Sequence, residues 1–518
     1  MELASQQMVT GGWILILLYV CTILYFVVKG AGKTKDIRDY ALGNILFSPA
    51  AVGLSLAASI TSAATFIINP GFVALYGFSG VISMALALPI AALLSLVLLT
   101  KGFRKHGKTT KALSMAEWMK TMYKSEGFGI FFGFLSLLLI TFIVLICVGL
   151  TKVLSSTLNI PEFYTLIGIV IFIFGYMMFG GANSMVYTNT IQALIMLVVA
   201  VILLTSGYEH FSNGISGFFD KLAAIDPQLA KTTYPASPLF RDYYEIFFAQ
   251  FIVGVAVVVQ PHIITKSLLL KKESDVNRFL VVATIVEIIF FLVVLTGFYA
   301  RLTFPDLMAG EEPLKNDGII PAYVVADFAD SNIAVFIGLI VVLGLISAGM
   351  STLEGLIQSV SATITSDIVR PLFGDKIRNE KTYITLNKIS IVLLAVVTFF
   401  VALEQIISPK LSVAILAQNG VYAYFSAAFI PVIFGIFLKR SGIRAPLWAT
   451  ITAIIVHFGI YYFLPWLVND FGWNFGWFTT YLQGTVRNPA IAASSAILAS
   501  SAVGLLIYFL GHKQKTNT

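Results

Sequence analysis

Two stretches of this chain place oxygen-bearing side chains where the surrounding sequence is hydrocarbon. In residues 54–76, Ser55, Ser59, Thr61, Ser62 and Thr65 crowd the first half, and Asn69-Pro70-Gly71 follows in the second. In residues 347–355, Ser347, Ser351 and Thr352 alternate with Ala348, Gly349, Met350 and Leu353, and Glu354 and Gly355 come next. A helix inside a bilayer breaks only where protein or a watered cavity satisfies the released backbone groups. The first stretch therefore predicts an interrupted helix at Asn69-Pro70-Gly71 beside a polar site. On a helix, the Ala348 carbonyl and the Ser351 and Thr352 hydroxyls share a face. Together with carbonyls of Ala58 and Thr61 they would form a five-oxygen cage, which suits a small hard cation. The same residue types also serve close helix packing, so spacing leaves both readings open.

The elements that must carry these residues are membrane helices. Of 518 residues, 58% are hydrophobic and 11% charged, and mean hydropathy is +0.90, which excludes a soluble globular domain. Hydropathy predicts thirteen spans near 11–29, 47–76, 79–101, 127–155, 162–180, 185–206, 246–270, 276–302, 331–365, 382–403, 410–438, 443–467 and 489–511. The N-terminal segment carries Glu2 and no basic residue before its apolar run, unlike a cleaved signal peptide, so the first span is expected to remain. Lys and Arg fall mainly on one side: 24 of 33 lie in the connections that are cytoplasmic if the N-terminus is outside and the C-terminus inside. That bias explains the net charge of +7 without nucleic acid. The expected location is a plasma membrane, the inner membrane of a bacterial cell, with the lipid bilayer as the chain's surroundings. Nothing in the sequence sets an oligomeric state.

Cys21 and Cys147 both sit in apolar runs and read as buried free thiols. The outer connections 207–245, 303–330 and 468–488 are long enough for short helices. Gly30-Ala31-Gly32-Lys33-Thr34 resembles the end of a P-loop, but Val27 stands where a glycine is required. HExxH, GxSxG and paired-Cys spacings are absent from the sequence, so no enzyme reading has support.

The order of motifs resembles the sodium:solute symporter family. The resemblance rests on the hydroxyl-rich second span with Pro70-Gly71, on Tyr187-Thr188-Asn189-Thr190-Ile191-Gln192 in the sixth and on Gln260-Pro261-His262-Ile263 in the seventh. Ala348-Gly349-Met350-Ser351-Thr352 in the ninth and Gly435-Ile436-Phe437-Leu438-Lys439-Arg440 closing the eleventh complete it. It implies an all-α LeuT-type fold of two inverted five-helix repeats, 47–206 and 246–438. These would be flanked by an N-terminal span and linker (1–46), an outer connection (207–245) and two C-terminal spans with a tail (439–518). It also implies sodium-coupled uptake of a small organic solute by alternating access. The family's sodium site falls on Ala58, Thr61, Ala348, Ser351 and Thr352. Substrate positions fall on Ser62, Thr65 and Gln418, with Asn69, Gln260, Ser83 and Asn419 as further polar candidates.

Departures from the family narrow the solute. The seventh span reads Gly254-Val255-Ala256-Val257-Val258-Val259 where relatives place aromatic residues. The third span lacks a carboxylate and the fourth lacks an arginine for a sugar acid. A small solute with a carboxylate and an apolar body is the expectation; a sugar or other neutral solute is the alternative. From other classes, a channel would share the hydropathy, and a sensor would need a signalling domain.

Glu287, Glu354 and Lys388 are charges within spans, and His457 reads as a structural histidine. Lys388 is expected to snorkel to the cytoplasmic edge. Many relatives carry aspartate at the position of Asn189 and hydroxyls at Glu354 and Gly355. Asn189 and Glu354 are therefore candidates for a second cation or a proton, either as a carboxylate moved across a helix contact or as a group facing a watered vestibule.

Overall fold

In hydrocarbon every backbone N–H and C=O must be paired within the chain, and helices do this segment by segment. A computed structural model describes residues 4–33, 35–43, 47–110, 112, 114–374, 380–408, 413–438 and 442–516, with the side chains of 42, 106–110, 380 and 512–516 excepted. Within these, the architecture is almost wholly helical, with one two-stranded hairpin, Met308–Ala309 against Glu312–Pro313, in the connection 303–330.

Among the described residues, ten helices are long and apolar enough to cross a bilayer. These are span 1 (Gln6–Ala31), span 3 (Phe78–Lys105), span 4 (Glu126–Leu158), span 6 (Ala182–Ser206) and span 8 (Glu273–Thr303), followed by span 9 (Asn332–Phe373), span 10 (Lys381–Ile407), span 11 (Val413–Phe437), span 12 (Arg444–Phe471) and span 13 (Pro489–Gly511). Two bent pairs raise the number to as many as 12. Span 2 is Pro49–Ile60 with Ala64–Tyr76, bent by 55°, and span 7 is Tyr244–Val257 with Pro261–Leu269, bent by 54°. The segment expected at 162–180 is Glu162–Met177, apolar but only 16 residues long (span 5). The expected count of thirteen thus stands at ten to twelve full crossings plus this shorter helix.

The two breaks differ in origin. In span 7, Gln260 takes an extended backbone (φ −61°, ψ 136°) immediately before Pro261, which opens the next helix. A residue before proline is driven out of the α region, and proline is well placed at a first helical turn. In span 2 the break lies at Thr61-Ser62, not at Asn69-Pro70-Gly71 as the sequence predicts. The helix runs through Pro70 because Ala64–Ile68 is a wide π turn, in which Asn69 N–H donates to the Ala64 carbonyl. Widening the turn relieves the clash of a proline ring with the carbonyl four residues back. The device recurs: π segments Ile82–Ala87, Ile364–Val369 and Gly459–Phe463 each end two residues before a proline, at Pro89, Pro371 and Pro465.

Spans 2, 6, 8 and 9 pack together at the centre, and most of span 9 is buried. The half of span 2 after the break packs closely on its neighbours. A Cβ at Gly71 would collide with the Asn316 carbonyl, and one at Gly297 of span 8 with the Pro70 carbonyl. Spans 1, 10 and 12 expose apolar residues such as Leu17, Leu18, Val28, Phe400 and Ile455, as lipid-facing helices do. Cys21 is on that exposed face, so only Cys147 is the buried thiol expected of both.

Lys388 is half-buried with its ammonium 4.5 Å from the Phe179 ring centre. Two residues counted among cytoplasmic charges are buried instead. Arg104 donates to the carbonyls of Ser267 and Leu270, and Lys266 enters the bundle. The charges at Lys111, Lys376, Arg378, Lys439 and Arg440, and the expected boundaries at 46 and 439, lie outside the described residues.

Candidate functional site

The break in span 2 sets the site. Thr61 N–H still donates to Ala57, but the next amides to pair, those of Ala64, Thr65 and Phe66, all turn to Ser62, the first to its hydroxyl and the others to its carbonyl. The carbonyls of Ala58, Ser59 and Thr61 are thereby released toward span 9. Ser351 Oγ donates to the Ala58 carbonyl at 2.6 Å and lies 3.1 Å from the Ala348 carbonyl. Thr352 Oγ1 lies 3.2 Å from the Ser59 carbonyl, 3.3 Å from that of Thr61 and 3.4 Å from that of Ala58. Ala58, Thr61, Ala348, Ser351 and Thr352 are therefore brought together, and all are fully buried.

The balance of donors and acceptors describes what such a cluster can hold. Each hydroxyl has one hydrogen, so two hydrogens face the carbonyls of Ala58, Ser59, Thr61 and Ala348. The surplus of converging lone pairs is the donor set of a small hard cation. Ser59, whose carbonyl joins the group, is not among the ligands expected from sequence, because the sequence puts the break at Asn69-Pro70-Gly71 and not beside it. Span 8 braces the arrangement: Thr61 Oγ1 donates to Glu287 Oε2 at 2.9 Å, and Glu287 Oε1 has no partner among the described residues.

A cavity of about 110 Å³ adjoins this cage. Ser62, Thr65 and Asn69 line it from span 2, Gln260 and His262 from the break in span 7, and Gln418 and Tyr422 from span 11. Its apolar wall includes Phe142, Leu145 and Phe291. Gln260 Oε1 and His262 Nδ1 are buried with no partner among the described residues. His262 has no role expected from sequence; its position just after Gln-Pro at a helix break is what places it here. Ser83 and Asn419 are not on this wall. Asn419 Nδ2 donates to Tyr462 at 2.7 Å and its Oδ1 lies 2.9 Å from His457 Nε2, which makes the pair a structural link between spans 11 and 12.

A second polar cluster lies on the other side of Ser59. Glu354, 1% exposed, accepts from Tyr176 Oη and Thr188 Oγ1, both at 2.6 Å, and from Gln192 Nε2 at 3.3 Å. It therefore faces protein and not a watered vestibule. Asn189 meets it, so the two candidates are neighbours. With the Asn189 amide turned so that Nδ2 donates to Glu354 Oε2 (3.1 Å) and Gln192 Oε1 (3.0 Å), its Oδ1 accepts from Ser59 Oγ (3.2 Å) and Lys266 Nζ (3.0 Å). The opposite orientation would set an amide nitrogen against an ammonium. Lys266 also donates to the Ser55 carbonyl (2.9 Å) and Ser55 Oγ (2.7 Å).

Comparison with known proteins assigns the family. The model of the sodium:solute symporter family matches residues 40–453. The chain belongs to the sodium:solute symporter family. It is a multi-pass membrane transporter and not an enzyme. The sodium/pantothenate symporter of Escherichia coli (strain K12) is 26% identical over 452 residues, 85% of this chain and 88% of that relative. The monocarboxylic acid transporter of Corynebacterium glutamicum is 22% identical, over 84% of this chain and 80% of that one. Among solved structures, a Na+-coupled sialic acid symporter in a substrate-bound outward-open state superposes with a TM-score of 0.72 at 18% identity. The match covers 96% of this chain and 98% of that one. That likeness fixes the fold of this symporter as LeuT-type.

Proposed function

We propose that this symporter carries sodium in the cage of Ala58, Thr61, Ala348, Ser351 and Thr352, with the Ser59 carbonyl beside them, and imports a small organic acid. The observation that carries the reading is the break in span 2. It releases carbonyls into the cage on one side and sets Ser62 and Thr65 into the cavity on the other. An ion drawn into the cage fixes the backbone that shapes the substrate wall, which couples the two binding events. In the cavity, Ser62, Thr65, Asn69, Gln260, His262 and Gln418 bind neutral polar groups or a carboxylate, while Phe142, Leu145 and Phe291 cover an apolar body. The repeats 47–206 and 246–438 would rock about this site; support comes from each one's opening with a broken span. The cytoplasmic excess of Lys and Arg supports an outside N-terminus and an inside C-terminus in a plasma membrane.

The test is uptake into vesicles of the purified protein under an inward sodium gradient. Pantothenate, short monocarboxylates, proline and glucose are the solutes. Saturable, sodium-dependent uptake of a carboxylate is expected. Uptake indifferent to sodium overturns the coupling, and preference for glucose overturns the organic acid in favour of a neutral solute.

A further inference from the structure

The cluster of Lys266, Asn189 and Glu354 is not used by the mechanism above, and it lies one residue away from the cage. Lys266, 2% exposed, is on the short helical stretch that follows the break in span 7. Its three N–H groups match three oxygens, the Ser55 carbonyl, Ser55 Oγ and Asn189 Oδ1, at 2.7–3.0 Å. Four donors, from Tyr176, Thr188, Gln192 and Asn189, point at the Glu354 carboxylate. Two amide N–H groups and two hydroxyls match the acceptor capacity of a carboxylate, and three oxygens match the three N–H groups of an ammonium. The two charges do not touch. Asn189 stands between them, its oxygen on the lysine and its nitrogen on the glutamate, and the pair sums to zero. Ser59 joins this cluster to the cage: its carbonyl meets Thr352 while its hydroxyl donates to Asn189.

We propose that Lys266 is a tethered cation: its ammonium occupies a ready-made oxygen site beside the sodium cage and balances Glu354, so that a single free sodium is bound at the neighbouring neutral cage. This rests on the sodium reading of that cage. A buried carboxylate that loses its counter-charge is strongly destabilised unless another cation arrives. Removing the ammonium opens three oxygens next to an uncompensated Glu354, and the ion that reaches them is sodium passing the cage.

Sodium alone is the probe, so no solute need be known. Sodium-22 binding to the purified full chain is expected to saturate at one ion per protein with a Hill coefficient near one. In Lys266→Met it is expected to rise toward two ions per protein with a Hill coefficient above one, and in Lys266→Met/Glu354→Gln to return to one. Lys266→Arg keeps the charge and is expected to keep the parental value. Should Lys266→Met fail to fold, Glu354→Gln carries the test: the uncompensated ammonium is expected to raise the half-saturating sodium concentration at least threefold. Two sodium ions on the parent, parental binding in Lys266→Met, or an unchanged half-saturation in Glu354→Gln overturns the proposal. The absence of any sodium binding to the parent overturns the sodium cage itself, a result separate from these.

Discussion

Span 9 presents two kinds of polar chemistry within one turn of helix, and their difference is instructive. Toward span 2 it offers Ser351 and Thr352 to released carbonyls, an arrangement with no formal charge and too few hydrogens for its oxygens. Toward spans 5 and 6 it offers Glu354, a full charge on which every contact is a donor. The first cluster has more converging oxygens than hydrogens; the second contains a basic group of its own in Lys266. An ion that must be released each cycle is better held by neutral oxygens in deficit, whereas a fixed ion pair serves to hold helices in register.

The largest effect should come from breaking the charged side. Glu354→Gln leaves Lys266 buried without compensation, a loss of about 3 kcal/mol or more, read as a lowered unfolding temperature of the purified protein. Pairing Glu354→Ser with Asn189→Asp puts the carboxylate next to Lys266 and should restore most of that loss together with uptake; full stability and uptake in Glu354→Gln alone would show that the charge there is dispensable. Breaking the neutral side should alter ion affinity more than stability. Ser351→Ala or Thr352→Ala removes an oxygen and should raise the half-saturating sodium concentration about tenfold, or about 1.4 kcal/mol. Parental sodium affinity in both variants would move the ion out of the cage. Smaller still is Thr65→Val, which keeps the shape and removes the hydroxyl. Solute affinity should fall about fivefold, near 1 kcal/mol, with the sodium dependence kept, and an equal affinity would remove Thr65 from the site. The smallest effect on transport is expected from Asn419→Ala. It should lower the unfolding temperature by a few degrees, from a loss of about 1 kcal/mol, and leave solute affinity alone, since Asn419 bonds His457 and Tyr462 away from the cavity.

The neutral side was legible in the sequence and the charged side only in part. Long apolar runs and small hydroxyl residues are local signals, so the apolar helices and the small hydroxyl residues that spans 2 and 9 bring together could be read directly. The place of the break could not. Pro70 is the strongest breaker in span 2, yet a π turn absorbs it, and the chain opens at Thr61, where only the acceptors on span 9 give a reason. Lys266 was misplaced for a related cause. Counting basic residues near span ends treats each as solvated, and nothing local shows that span 7 bends and delivers this one to Ser55 and Asn189. The bond from Thr61 to Glu287 joins residues 226 apart and has no sequence signal at all.

The contacts of Gly71 and Gly297 have a mechanical consequence. With the Pro70 carbonyl against Gly297 and Gly71 against Asn316, the second half of span 2, the end of span 8 and the connection 303–330 form an arm seamed by close backbone contact at two points. Its fulcrum is the opening at Thr61-Ser62. A displacement of that connection would be carried along these close contacts toward the fulcrum, where the Thr61 carbonyl oxygen lies.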